Sequence, residues 1–578
     1  MLALHNPDVR VVVVDRDQER IDAWKGRHLP ILEPGLQDIV RRVRDGSTTS
    51  TCSGDILGAR VSVNDRRSRR PNLFFSTACI EEIAQADMIL ISVNTPTKLR
   101  GVGAGRATDR SALEAVVRDV ALHAKEGAVL VEKSTVPCRT GELINNIVRI
   151  LSMTFRVMTL IEAQMSAHRP GVIFPVLSNP EFLSEGTAVR NLMKPDRVVI
   201  GCESTDTGHR AAAALVNLYA AWVPRSRIIP INIWSSELCK LVANAMLAQR
   251  ISSINSISAI CERTGADISE IARSVGKYAR IGPQFLKSGL GFGGSCFRKD
   301  ICSLVYLAES LHLPEVATYW QQVLVMNEFQ RDRFARDIIA TLNNSLRGKK
   351  ITILGYAFKK ATGDARESPA LDVIRILLEE GPRSIAIFDP LCSERDIRRE
   401  LGVLDEGTSI FRSHGPIEIL RDPYLACTDS DAVCVLTDWD VFKTSGIGAT
   451  PTTIPANTQF TDFITPTDIL RLKPSMTWLS NDNPPTPPQS PEIVSLHSDL
   501  FANLAPEPAC RDDCVDCDVA TPSSASIGRA DMVPLDWRAI SDLIREPRWV
   551  FDGRGVLDNQ TMAAFGFRIK TLGKPTSY

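Results

Sequence analysis

The sequence has no long apolar run, no excess of charge of one sign and few aromatic residues. Aromatic side chains make up 6% of its 578 positions. No uninterrupted apolar stretch approaches the roughly 20 residues that cross a bilayer. The 67 basic residues nearly cancel the 68 acidic ones, whereas a protein that coats nucleic acid normally carries a basic excess. We therefore expect neither a membrane nor nucleic acid as a partner.

Cysteine is sparse, and the N-terminus does not resemble a targeting leader. The chain has 14 cysteines, far below the density of a disulfide scaffold. Its first residues lack the basic segment and apolar core of a signal peptide. These features predict a reducing compartment, and we expect a cytoplasmic protein.

Glycine is missing where one pattern calls for it. The run of four valines at 11–14 ends in Asp15, and an apolar strand that ends in an acid is how a dinucleotide fold holds an adenosine ribose. The glycine-rich turn for the pyrophosphate belongs about 20 residues before such an acid, but no glycine precedes Asp15. We therefore expect a first strand and turn to be missing from this sequence. An acid at a strand end can also be a simple turn residue.

The order of apolar segments predicts the fold class. Continuous Val/Ile/Leu runs, which suggest strands covered on both faces, alternate with helical patterns such as 111–125. Long helical patterns follow, and a second alternating unit begins near residue 346 with a helix near 369–380. The sequence predicts an α/β protein with two Rossmann-like parallel-sheet domains, 1–234 and 346–444 plus 535–578, joined by a central helical domain at 235–345. The predicted strands are 9–15, 73–77, 88–93, 128–134, 198–201, 351–354 and 384–389.

Two stretches do not fit this arrangement. Residues 151–170 lengthen a connection between strands, and we interpret them as an unusual insertion. Residues 445–534 are rich in proline and small polar residues, so we expect a disordered insertion. Cys510, Cys514 and Cys517 lie within it without a fourth ligand in suitable spacing, and we predict no metal site.

The glycine-rich segment 289–300 carries the strongest local signal. Glycines permit close approach of a ligand to the backbone, and Ser295 is a candidate N-cap. Cys296 would then lie in the first turn of a helix, where the amides and the helix dipole favour a thiolate nucleophile. Asp300 would share its face. Four other cysteines in apolar runs are expected to be inert core thiols: Cys239, Cys261, Cys302 and Cys434.

Charged residues at three further places are candidates for binding or catalysis. Glu181 and Glu185 would share one face of a helical turn, although a solvated helix start explains them too. Lys240 and Asn244 lie one turn apart in an apolar helix and would need a polar ligand, unless the lysine snorkels to solvent. Lys359 follows a strand, where it would bind phosphate or remain solvated.

Together these segments resemble the UDP-glucose 6-dehydrogenase family, in its eukaryotic form, within the wider UDP-glucose/GDP-mannose dehydrogenases. The resemblance implies oxidation of UDP-glucose to UDP-glucuronate with two NAD. It rests on Asp15 with Arg20 and on segments 29–36, 92–97, 132–137, 179–186, 237–256, 280–282, 285–300, 353–370 and 551–554.

The resemblance also implies roles for individual residues. Cys296 would add to the C6 aldehyde to give a thiohemiacetal and then a thioester. Lys240 and Asp300 with a water would accept the hydroxyl proton, and Glu181 and Thr135 would serve thioester hydrolysis. The residues expected at NAD are Asp15, Arg20, Val93, Thr95, Thr135, Glu185 and Arg366. The residues expected at UDP-glucose are Glu181, Lys240, Asn244, Arg280, Phe285, Lys287, Phe292, Gly293, Phe358, Lys359 and Arg554.

Arg280 would reach the site of a neighbouring subunit, so the resemblance implies a homo-oligomer, either a dimer or a hexamer.

Two departures from the family pattern, the missing first strand and the insertions, leave alternative functions open. One is a catalytically impaired paralogue or truncated gene model that only binds other subunits. Another is a related nucleotide-sugar dehydrogenase for GDP-mannose, against which segments 285–297 and 551–554 argue.

Overall fold

The computed structural model describes residues 1–31, 33–46, 69–136, 174–404, 410–411, 415–444 and 533–575. The interpretation of 151–170 as an insertion falls outside these residues, as does that of 445–534 apart from its last two positions. Among the described residues, no helix is long and apolar enough to cross a membrane. The described part also contains no cluster of three or more side chains that could hold a metal ion.

The N-terminal unit alternates strands and helices. Its strands are β1 (Val11–Val14), β2 (Leu73–Ser76), β3 (Met88–Ile91), β4 (Val129–Glu132), β5 (Val176–Ser178), β6 (Val198–Cys202) and β7 (Ile228–Asn232). Its helices are α1 (Leu2–His5), α2 (Gln18–Lys25), α3 (Leu36–Arg44), α4 (Cys79–Gln85), α5 (Ser111–His123), α6 (Ala188–Met193) and α7 (Asp206–Tyr219), with a 3-10 turn at Arg225–Arg227.

Continuous apolar strands in this unit are covered on both faces, as predicted. Leu130 and Val131 are neighbours in β4 and are fully buried in two different hydrophobic clusters, one on each side of the sheet. Two strands escaped the sequence prediction. β5 has only three residues, and β7 contains Pro230 and is exposed along most of its length, which is typical of an edge strand.

The sheet of this unit is split. β1 pairs in parallel with β2 as a separate two-stranded sheet, while the other five strands follow the order β3-β4-β5-β6-β7. All pairs are parallel except β5 with β6. The usual Rossmann sheet has the strand order 3-2-1-4-5-6. In that numbering, β2 corresponds to strand 3, β1 to strand 2, β3 to strand 4 and β4 to strand 5. No described strand occupies the place between β1 and β3, and Val13 remains 40% exposed.

The central part is helical. It comprises α8 (Ile233–Thr264), α9 (Ile268–Lys277), α10 (Phe297–Ser310) and α11 (Pro314–Thr341). The Asn232 side chain caps α8 by accepting a hydrogen bond from the Ser235 amide, and Gly265 ends the helix in the left-handed conformation with φ 80°. α8, α10 and α11 pack around a shared apolar cluster that includes Ala248, Ile301 and Leu324.

The C-terminal unit is a second α/β layer structure. Its six strands are all parallel, in the order β10-β9-β8-β11-β12-β13. These are β8 (Lys350–Leu354), β9 (Ser384–Phe388), β10 (Ile417–Ile419), β11 (Ala432–Val435), β12 (Trp549–Asp552) and β13 (Arg568–Thr571). The helices are α12 (Pro369–Glu379), α13 (Glu394–Leu401), α14 (Pro423–Cys427), α15 (Trp537–Leu543) and α16 (Asn559–Ala564), with 3-10 turns at Gly402–Leu404 and Asp440–Phe442.

The predicted fold class is confirmed: two Rossmann-like parallel-sheet units flank a helical region. The two sides of the 445–532 gap are adjacent, because the Leu535 amide donates to the Val441 carbonyl at 2.8 Å. The Trp537 indole likewise donates to the Phe442 carbonyl at 2.9 Å. Residues 533–575 therefore complete the second sheet. The exact domain boundaries remain a prediction.

Candidate active site

Cys296 lies at the start of α10 and is exposed. The expectation that Ser295 caps this helix was wrong by one residue. Cys296 itself occupies the N-cap position, without a side-chain capping bond, and the Ser295 hydroxyl lies 3.8 Å from its sulfur. The sulfur is nevertheless close to the positive end of the helix dipole, where negative charge is stabilised.

Asp300 lies one turn further along α10 and is only 1% exposed. Its amide donates to the Cys296 carbonyl at 2.9 Å, and its Oδ2 accepts from the Asn244 amide nitrogen at 2.6 Å. Lys299 Nζ lies 3.1 Å from the other carboxylate oxygen. The structure thus joins Asp300 and Asn244, two residues singled out from the sequence. Lys299 was missed, and its position in the sequence carries no signal of this role.

Lys240 and Asn244 do lie one turn apart on α8, and both are buried. Lys240 Nζ lies 5.5 Å from the centre of the Phe182 ring. The Arg197 guanidinium lies over the same ring at 4.1 Å, so Phe182 is held by cation–π contacts with two side chains. Cys239, expected to be a core thiol, is instead exposed on this helix, whereas Cys261, Cys302 and Cys434 are buried as expected.

Segment 179–186 does not form the helical turn that would place Glu181 and Glu185 on one face; it has no regular secondary structure up to Ser184, and a turn follows at Glu185 and Gly186. The reason is Asn179, which continues β5 through a backbone bond to Glu132. Its side-chain nitrogen donates to the Val199 carbonyl at 2.8 Å, and its side-chain oxygen accepts from the Tyr219 hydroxyl at 2.7 Å. Tethered in this way, Asn179 carries Glu181 to the end of the sheet.

Glu185 contacts the C-terminal unit. Arg366 lies 3.4 Å from its carboxylate. Lys359 Nζ donates to the Ser184 hydroxyl and to the Glu185 carbonyl, both at 2.9 Å. Burial, together with the charge of Asp364, raises the pKa of Glu185. Glu185 and Arg366, expected at NAD, thus meet Lys359, expected at the sugar nucleotide.

Buried amide side chains hold the glycine-rich loop in place. The Asn327 side chain accepts from the Phe292 amide at 2.9 Å and donates to the Phe292 carbonyl at 3.0 Å. Gln330 donates to the Gly289 carbonyl at 2.9 Å, and Asn255 accepts from the Gly289 amide at 3.0 Å. Sequence reasoning missed these three residues. Polar residues within the apolar faces of long helices were the signal that could have revealed them.

Arg554 connects three segments around this loop. Its guanidinium donates to the carbonyls of Leu436 at 2.7 Å, Gly291 at 3.2 Å and Phe358 at 3.1 Å. Asp552 supports it by accepting from the Arg554 amide at 3.0 Å. Burial lowers the pKa of Arg554. Arg554 therefore links the glycine-rich loop to two segments of the C-terminal unit. Lys287 is another residue expected at UDP-glucose, and its Nζ lies 3.8 Å from the Asp438 carboxylate.

Gly293 lies where the central helices meet the C-terminal unit. A Cβ at this position would lie 2.5 Å from the Glu367 carbonyl oxygen, 2.7 Å from Pro369 Cδ and 3.0 Å from Phe358 Cβ. A side chain therefore cannot be accommodated without a shift of backbone.

Replacing Gly293 with alanine is expected to lower the free energy of unfolding by about 1–3 kcal/mol, because overpacking forces the two units apart. The measurement is chemical denaturation followed by tryptophan fluorescence. Gly402→Ala is the matched control, because nothing lies within 4 Å of its added methyl group. Equal stability of the two variants would refute the steric argument.

Several of the residues expected at NAD gather at the carboxyl ends of β3 and β4. The Thr95 hydroxyl donates to the Thr135 carbonyl at 2.8 Å, and the Val93 amide donates to the Ser134 hydroxyl at 2.8 Å. This edge of a parallel sheet is where nucleotides bind in such folds.

Asp15 lies at the end of β1, where its carboxylate accepts from the Asp17 amide and from Arg20, the latter at 2.7 Å. These bonds lower its pKa. An ionised acid at a strand end fits an adenosine ribose, so Asp15 is compatible with its predicted role. The assignments of Val93, Thr95 and Thr135 to NAD remain predictions.

Arg280 and Phe285 flank a loop that follows α9. The Arg280 guanidinium stacks on the Tyr278 ring at 4.7 Å, and Phe285 is 41% exposed with a positive φ of 61°. Arg250 of α8 shapes the loop between them by donating to the carbonyls of Ile281, Gly282 and Gln284. Arg250 was not among the residues predicted from the sequence.

A buried acidic pair lies beside the site. Glu132 at the end of β4 and Glu237 on α8 are each 2% exposed. Neither carboxylate oxygen of Glu132 has a hydrogen-bond partner among the described residues. Burial, and to a lesser extent the charge of Glu237, raise the pKa of Glu132 well above its ordinary value.

These features define a nucleotide-dependent dehydrogenase with two Rossmann-like units and a cysteine at a helix start between them. Models of the UDP-glucose/GDP-mannose dehydrogenase family match the chain in three parts. The NAD binding domain covers residues 1–62 and 60–223, the central domain 234–329 and the UDP binding domain 352–462. The chain belongs to the UDP-glucose/GDP-mannose dehydrogenase family.

Individual relatives agree with this assignment. The chain is 45% identical to UDP-glucose 6-dehydrogenase 5 of Oryza sativa subsp. japonica over 77% of its length and 85% of the rice protein. It is also 45% identical to UDP-glucose 6-dehydrogenase of Drosophila melanogaster, over 76% and 84% of the two chains. Among solved structures, a UDP-glucose dehydrogenase from Pyrobaculum islandicum has a TM-score of 0.60 at 29% identity, covering 76% of this chain and 86% of that one.

Proposed function

We propose that this chain oxidises UDP-glucose to UDP-glucuronate, with NAD as the hydride acceptor and Cys296 as the nucleophile. The observation that carries the proposal is the position of the exposed Cys296 sulfur. It lies at the positive end of α10, one turn before a buried Asp300 that is hydrogen-bonded to Asn244.

Bound NAD would accept a hydride from C6 in each of the two oxidations. The chain's own residues transfer the protons, hold the aldehyde and direct the final hydrolysis. Lys240, with Asp300 and a water, takes the proton of the C6 hydroxyl. The sulfur of Cys296 then forms a bond to the aldehyde carbon and holds it through the second oxidation. Finally water displaces the sulfur, and Glu181 accepts a proton from that water while Thr135 positions it.

The sugar nucleotide is held between the central helices and the C-terminal unit. Lys287 and Lys359 offer positive charge to its phosphates, and Phe292 and Phe358 offer apolar surface. Gly293 allows the two sides to approach. Arg554 acts on the shape of the pocket through the three carbonyls that it binds.

We also propose a homo-oligomer, with a dimer as the smallest working unit. Support comes from large apolar side chains exposed on the central helices: Met246, Ile257 and Ile260 on α8, Val275 on α9, and Tyr278 just beyond it. A second copy would cover them, and Arg280 would then reach the partner's site. A monomer in sedimentation at micromolar concentration would contradict this.

We place the enzyme in the cytoplasm, which agrees with the nine cysteines of the described part being free thiols.

The test is the stoichiometry of the reaction. We expect two NADH for each UDP-glucose consumed, with UDP-glucuronate as the product, because the cysteine adduct commits the aldehyde to a second oxidation. Absorbance at the NADH band and chromatography of the nucleotide sugars measure both. A ratio of one would exclude the thiohemiacetal scheme. Faster turnover of GDP-mannose would favour a different substrate, and binding of UDP-glucose without NADH formation would favour the impaired paralogue.

A further inference from the structure

Lys133 is a basic residue that the mechanism above leaves unused. It directly follows β4, where its amide donates to the Ile91 carbonyl at 2.9 Å. Its side-chain nitrogen donates to the Asn179 carbonyl at 3.2 Å. Asn179 stands two residues before Glu181, so Lys133 tethers the segment that carries the proposed base.

Lys133 and Glu181 line the same cavity, which has a volume of about 110 Å³ and opens to solvent. Because one water takes up about 30 Å³ in the liquid, this cavity has room for a few waters beside the two side chains. The other charged or titratable side chains in its wall are Lys194, Asp196, Arg197 and Tyr219.

The charges around Lys133 couple it to the catalytic groups. Burial lowers the pKa of its ammonium to about 8, the negative charge of Glu181 opposes that change, and the positive charge of Lys240 adds to it. Lys133 therefore interacts electrostatically with Glu181 and Lys240, two of the residues to which the proposed mechanism assigns proton transfer. It is still protonated at neutral pH.

We propose that Lys133 is a positioning residue for Glu181 in thioester hydrolysis, an inference that rests on the proposed function. Its ammonium holds the Asn179 carbonyl and attracts the Glu181 carboxylate. In the step that it supports, a water oxygen bonds to C6 and the C6–Sγ bond breaks with its electron pair remaining on sulfur. One proton of the water passes to Glu181, while Lys133 keeps its own protons. The cavity, which has room for water and opens to solvent, then gives the proton on Glu181 a path out.

The first test is Lys133→Met, with Lys194→Met as the matched control because Lys194 is an exposed lysine of the same cavity. We expect kcat to fall about 100-fold in K133M, the range of a general base. The KM for UDP-glucose and the single-turnover rate of the first NADH should stay within about threefold. Intact-protein mass spectrometry should show a sugar adduct accumulating during turnover in K133M only. An unchanged kcat, or an equal loss in the first oxidation, would overturn the proposal.

The second test separates charge from packing. In Lys133→Ala, propylammonium in the buffer should restore at least about a tenth of kcat, because the cavity is open, whereas propanol of similar shape should not. The pH dependence of kcat should also reflect the charge of Lys133. Wild-type kcat should fall as pH rises through about 8, where Lys133 loses its proton, and this decrease should be missing in K133M. Equal rescue by both additives would show a purely structural role.

A third measurement does not depend on turnover. Reductive methylation with ¹³C labels the lysines, and NMR follows the titration of Lys133, identified by its loss in Lys133→Arg. Removing the opposing charge in Glu181→Gln should lower the pKa of Lys133 below its wild-type value. No change would refute the coupling even if the chain proved inactive toward UDP-glucose. Inactivity with an intact coupling would refute only the proposed function.

Discussion

A Cys296→Ser protein is expected to lose UDP-glucuronate formation, with kcat reduced about 10³-fold or more. A serine oxygen is a much weaker nucleophile than a thiolate at neutral pH, so the aldehyde is not captured for the second oxidation. An oxygen ester is also a poorer intermediate, because the alkoxide leaves less readily than a thiolate. The measurement is steady-state NADH formation together with product analysis from UDP-glucose.

The matched control for this substitution is Cys239→Ser. Cys239 is also exposed and lies next to Lys240 in the chain, but no step of the proposed mechanism uses it. Its replacement should leave kcat within about twofold. If Cys296→Ser produced uronic acid at the wild-type rate, the nucleophile would be misassigned. The same loss in both variants would point instead to general damage to α8 or α10.

The second large effect is expected at the split in the N-terminal sheet. Adding a strand that pairs between β1 and β3, followed by a Gly-x-Gly-x-x-Gly turn, should tighten NADH binding about 100-fold. The strand satisfies the facing edges of two sheets, and the turn brings backbone amides to the pyrophosphate near Asp15. Fluorescence titration with NADH measures the change in Kd.

A version with the same added strand but with valines in place of the turn glycines provides the control. It should recover the pairing of the sheet, seen as a higher Tm, without recovering the affinity, because side chains would block the approach of the phosphates. Unchanged affinity in both versions would show that the split between β1 and β3 is unrelated to the cofactor. An equal gain in NADH affinity in both versions would show that the tighter binding comes from better folding of the sheet and not from the turn glycines.

Much of the architecture could be predicted because it depends on local patterns. Runs such as Leu130–Val131, with apolar residues on both faces, require a sheet covered on both sides. The four-residue spacing of Lys240 and Asn244 places them on one face of a helix. In the first sheet, β5 and β7 escaped because one is only three residues long and the other contains a proline at an exposed edge. In the second sheet, β10, β11, β12 and β13 were not predicted either.

The errors at the site have tertiary causes. Glu181 and Glu185 have helical spacing, yet the segment forms no helix, and the bonds of Asn179 to β4, β6 and α7 hold its first residue at the end of β5. Cys239 lies in an apolar run, but α8 turns it to solvent. A residue's neighbours along the chain do not report which face of a helix will be covered.

By itself the sequence determined the fold class, the nucleophile candidate and the helical pairing of Lys240 with Asn244. These follow from the order of apolar segments, from a glycine-rich segment before a helix and from a four-residue spacing, all of which can be read along the chain. Only the tertiary structure decided that Lys359 contacts Ser184, that Arg554 joins the carbonyls of three segments, and that Lys133 and Glu181 line one cavity. These contacts join residues that are far apart in the chain. They depend on how the sheets and helices pack, which no local pattern encodes.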